Sequence, residues 1–89
     1  MDDQTRKVLR RVCAQYYTGI RKPFGIDGVI YQIKRDRYAP SEENENDFLA
    51  WQDDVTGKIV WQPLGKEFLT PEFIIDTINI SIVTRITES

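Results

Sequence analysis

The chain has 89 residues, 40% of them apolar and 11% aromatic, and a formal net charge of −2. That length makes a single domain (1–89) with a small core, and the apolar content excludes a disordered tail. With no histidine and one cysteine, the sequence excludes Ser-His-Asp and Cys-His catalysis, an intrachain zinc site and a disulfide framework.

Residues 3–18 predict an amphipathic helix. Val8, Leu9, Val12, Cys13, Tyr16 and Tyr17 recur at helical period, and Arg6, Lys7, Arg10 and Arg11 fall roughly opposite. Asp2 or Asp3 caps the first amides, and Gly19 ends the helix in a left-handed turn. Asp27-Gly28 is a turn dipeptide, after which residues 29–37 alternate as a strand that becomes charged at Lys34, Arg35 and Arg37. Residues 39–47 read as an acidic loop. Glu42, Glu43, Glu45 and Asp47 lack the oxygen spacing and glycine of a calcium loop, so solvated carboxylates are the expectation rather than a cation site.

Segments 48–53 and 58–62 flank Asp53-Asp54-Val55-Thr56-Gly57 and predict a β-hairpin. Its register decides the fate of both tryptophans. A three-residue loop puts Trp51 and Trp61 on one face; a four-residue loop, pairing Asp53 with Lys58, sends them to opposite faces. Asp53 and Thr56 suit the four-residue loop. Both hairpin faces carry large apolar groups, so the hairpin is expected to be central or covered on both sides.

Thr70-Pro71-Glu72 is a helix start, with Thr70 as cap and Pro71 at the first position. The β-branched density beyond it predicts a short helix at 71–76 followed by a strand at 78–87. The competing reading is one helix through 86, since Ile75, Ile78, Ile82 and Ile86 share that period. The expected fold is α+β: an N-terminal amphipathic helix on a small antiparallel sheet of three to five strands containing the central hairpin 48–62. An alternative closes the strands into a small SH3-like or Sm-like barrel with an N-terminal helix, on element order alone.

The charge is distributed unevenly. Residues 1–38 hold nine cations against four carboxylates; residues 39–89 hold three against ten. If the helix cations met Lys34, Arg35 and Arg37 in space, they would form one anion-binding face. Gly25-Ile26-Asp27-Gly28 is a turn rather than a phosphate clamp, because Asp27 repels phosphate. Cys13, in the helix stripe, is expected as core filler. No apolar run is long enough to span a membrane, and the N-terminus lacks a secretory signal, so the expected location is cytoplasmic.

The expectation is a non-enzymatic protein-interaction or regulatory module without cofactor or metal. Its candidate contact residues are Arg6, Lys7, Arg10, Arg11, Lys34, Arg35, Arg37, Trp51 and Trp61, and its partner is another protein or a second copy of the chain. The alternative is a nucleic-acid-binding domain using the basic helix face, with a small acid–base enzyme more distant.

Overall fold

The computed structural model describes residues 1–35, 47–65 and 67–88, with side chains as far as Ser81. Helix α1 (Asp3–Tyr16) starts where Asp2 Oδ1 accepts the Thr5 N–H at 2.7 Å. This bond is the main reason that the Asp2 carboxyl lies below its ordinary value. Past Tyr16 the chain closes a Schellman ending: Gly19 N–H donates to Tyr16 O at 3.1 Å and Ile20 N–H to Gln15 O at 2.9 Å. Gly19 supplies the required positive φ of 86°.

Four strands follow: β1 (Phe24–Ile26), β2 (Val29–Arg35), β3 (Asp47–Gln52) and β4 (Ile59–Pro63). They form one antiparallel sheet in the order β1-β2-β3-β4. Asp27 and Gly28 both have positive φ, 51° and 82°, as a two-residue type I′ hairpin turn requires. The sequence reading found that turn but not β1 before it. In the β3–β4 hairpin, Asp53 N–H donates to Lys58 O at 2.8 Å, leaving residues 54–57 as a four-residue loop. Asp53 Oδ2 accepts the Thr56 N–H at 3.1 Å, and Gly57 takes φ 72°. The register expected from Asp53 and Thr56 is therefore the one adopted.

Helix α2 (Pro71–Glu88) begins as expected, with Thr70 Oγ1 accepting the Phe73 N–H at 3.1 Å. It then continues through the region predicted as a strand. The expected strand at 78–87 is absent, the competing single helix is correct, and the barrel alternative falls with it. Packing outweighs propensity here: Ile74, Thr77, Ile78 and Ser81 recur at i, i+3, i+4 and i+7, and all four are buried. Thr77 also donates its hydroxyl to Phe73 O at 2.9 Å, satisfying a polar group inside the interface.

Both helices contribute to the same core. Leu9, Val12, Cys13 and Tyr16 of α1, together with Ile74 and Ile78 of α2, share one cluster with Phe24, Ile26, Tyr31, Ile33, Leu49 and Trp51. Those strand residues alternate onto one side of the sheet, the inner face. Leu64 and Leu69, between β4 and α2, complete the core. The result is two layers: helices on one side and a sheet on the other. Among the described residues the hairpin is covered on one side only, and β4 is an edge strand.

Candidate functional site

The open, outer face of the sheet can be read off the register as rows of neighbours. Lys34, Phe48 and Pro63 form one row, and Gln32, Ala50 and Trp61 the next. Ile30, Gln52 and Ile59 lie toward the hairpin turns. Ile30 is 62% exposed, Ile59 54% and Trp61 49%, values far above those of the inner face. Ala50 is buried at the floor between larger neighbours. Phe48 meets the Trp61 ring edge to face at 6.1 Å, and Lys34 Nζ stands 5.8 Å from the same ring. Trp61 is thereby held between an aromatic ring and a cation with half its surface still in solvent.

At the turn end, Gly28, Val29, Ile30, Gln52, Asp53, Asp54 and Gly57 line an open cleft of about 420 Å³. Its walls combine aliphatic surface with carboxylates, of which Asp54 is exposed and Asp53 is committed to the turn.

The residues predicted to form one contact surface separate. Trp51 is only 5% exposed and packs against Tyr31 with ring centroids 5.2 Å apart. It belongs to the core, which corrects its assignment as a contact residue: the four-residue loop turns its side chain inward. Arg6 pairs with Glu72 of α2 at 2.5 Å. Glu72 lies below its ordinary value, first because of its own backbone N–H and then because of Arg6. Lys7, Arg10 and Arg11 are exposed on α1, in the helical layer. Arg35 is exposed at the strand end, in register with Asp47. Arg37 lies outside the described residues. Among the described members of the predicted set, only Lys34 and Trp61 share the open face.

Asp47 was expected to be a solvated loop carboxylate; the other three members of that acidic set lie outside the described residues. Asp47 instead opens β3 and is 3% exposed. Its Oδ2 accepts the Tyr16 hydroxyl at 2.6 Å and lies 3.8 Å from Arg21 Nη2. Arg21 covers the Tyr16 ring at 4.0 Å and donates to Tyr16 O at 2.7 Å. Burial, reinforced by Asp47, raises the Tyr16 hydroxyl above its ordinary value. These three groups fasten the end of α1 to the sheet. Cys13 is core, its thiol pushed up to about 11 by burial and then by Glu72.

A second exposed aromatic feature escaped the sequence reading. Tyr17 and Phe68 stack with centroids 5.0 Å apart and planes 14° from parallel, and the Tyr17 hydroxyl accepts the Leu69 N–H at 2.7 Å. Phe68 is 73% exposed. Nothing in the spacing of residues 17 and 68 signals this pairing. Among the described residues, no group of three metal-ligating side chains is close enough to hold an ion, and no helix is long and apolar enough to cross a membrane.

Comparison with protein-family models, curated proteins and solved structures finds no match to this chain.

Proposed function

We propose that the chain is a non-enzymatic, cytoplasmic protein-interaction or regulatory module, and that the outer sheet face around Trp61 is its contact surface. One observation carries the reading. Trp61, Ile30 and Ile59 are large, apolar and about half exposed on a single face, while the opposite face is packed. An exposed apolar surface edged by polar groups suits partner binding, and tryptophan is among the residues that dominate interface energetics. Lys34 lies at its edge, and Gln52 stands between Ile30 and Ile59.

The test places a photo-crosslinking residue at Ile59 and, separately, at Lys7. Protein adducts from position 59 but not from position 7 support the reading. Adducts only from position 7 overturn it and move the contact to the helical layer.

The alternative is nucleic-acid binding, favoured by Lys34 beside the half-exposed indole, a pairing suited to phosphate contact and base stacking. The helix cations lie in the other layer, so the multi-cation surface expected from the sequence is not available to one strand on this face. Oligonucleotide affinity that falls steeply with salt would favour this alternative, and a flat response would remove it.

A further inference from the structure

The edges of the sheet are poor places for a partner strand. β1 has three residues, and β4 ends in Pro63, which has no N–H to give a ladder. A partner that uses this sheet therefore sits on its face. The two ends of that face differ in kind. Lys34 stands in one end row; beyond the other end, at the hairpin turns, is the cleft, with exposed Asp54 near the outward-facing Ile30 and Gln52. Lys34 and Ile30 are separated by four residues of β2, about 13 Å at strand rise. A surface with a cation at one end and a carboxylate-lined cleft at the other, around an apolar middle, is complementary to itself when turned end for end. Closed two-fold pairing requires this property.

Resting on the reading of this face as a contact surface, we propose that its occupant is a second copy of the chain. Two sheets stack face to face about a two-fold axis running across the strands. The two Trp61 side chains pack side by side. Lys34 of each copy lays its aliphatic stem along the other's cleft and brings its ammonium to Asp54. The assembly has four layers, helices outside and sheets within, with inner spacing of about 10 Å as in aligned sandwiches. Four strands span about 14 Å and five residues about 17 Å, roughly 240 Å² of sheet per copy, which is below the range of stable interfaces and in that of weak, transient ones. The dimer is accordingly weak and concentration-dependent.

Sedimentation equilibrium from micromolar to millimolar protein tests this. The expected result is a mass rising from 10.4 kDa toward twice that value. Lys34→Asp and Asp54→Lys, both at exposed positions, should each weaken association by about tenfold, and combining them should restore it. Trp51 emission, from the core, verifies that each variant is folded. A constant mass of 10.4 kDa overturns the proposal, as does a dimer unaffected by either single charge reversal. Constant mass accompanied by adducts to a different protein from position 59 sinks only the self-pairing; no adducts from position 59 at all sinks the contact surface as well.

Discussion

The Tyr16 hydroxyl donates a 2.6 Å hydrogen bond to Asp47 Oδ2, and both groups are buried. A carboxylate inside a small domain is costly unless its oxygens are satisfied, and here the partners come from the end of α1 and from Arg21. Asp47 also accepts the Leu64 N–H on its backbone oxygen at 3.0 Å, so one residue anchors three segments. Removing the phenol hydroxyl in Tyr16→Phe leaves the carboxylate short of a donor. The expected loss is about 1–3 kcal/mol in urea-unfolding free energy. A variant as stable as wild type would mean that the bond contributes nothing net.

The two tryptophans should behave oppositely. Trp51→Ala opens a core cavity and should cost about 3–5 kcal/mol. Trp61→Ala removes a side chain already half in water and should leave the unfolding midpoint nearly unchanged while weakening partner binding. Acrylamide should quench Trp61 in a Trp51→Phe protein, but scarcely quench Trp51 in a Trp61→Phe protein.

Alkaline pH should destabilise the fold. Burial raises Tyr16 above its ordinary value of 10.0 and Cys13 from 9.0 to about 11. Both groups hold their protons more tightly when folded. The stability from this difference is complete below the unfolded values and is lost as pH rises through the folded ones. The thermal midpoint should be level near neutrality and begin to fall near the ordinary thiol value of 9.0. Cys13→Ala should move that onset upward, toward the tyrosine range; an unmoved onset would exclude Cys13 as its source.

Two glycines make a controlled comparison. Gly19 has φ 86°, so Gly19→Ala should cost about 1–2 kcal/mol from left-handed strain although no atom obstructs the new methyl. Gly25 has no positive φ, and an added Cβ would meet Ile30 Cδ1 at an ordinary 3.4 Å. Gly25→Ala should therefore be close to neutral by chemical denaturation.

What the sequence disclosed depended on how local the controlling physics was. Asp53, Thr56 and Gly57 act within one turn, and their chemistry was enough to favour the adopted register, which sends the tryptophans to opposite faces, but not to say which of the two is buried. Thr70 and Pro71 likewise signalled the start of α2. Its continuation was hidden because the β-branched residues beyond 76 argued for a strand, and two of its four regularly spaced buried positions, Thr77 and Ser81, are polar. Ile80 lies off the isoleucine stripe and is 62% exposed, as an off-stripe helical residue can be. Asp47 was misread because its partners, Tyr16 and Arg21, are remote in sequence. The open face combines local alternation with the absence of a third layer among the described residues, and only the second part was beyond reach. Lys34 and Trp61 were named individually, without the register that joins them.

The sheet is a meander, with every strand beside its immediate predecessor in the chain. Its pairings close short loops, except across the 36–46 connection, so most of the ladder can form at little entropic expense before either helix docks. Arg6 and Glu72 are 66 positions apart, and the helix–helix contact that they mark is a late event on this view. Substitutions between the helices should then accelerate unfolding and leave the folding rate almost untouched, whereas changes in the 53–58 turn should slow folding itself. The same locality that made the hairpin legible also makes it the natural nucleus.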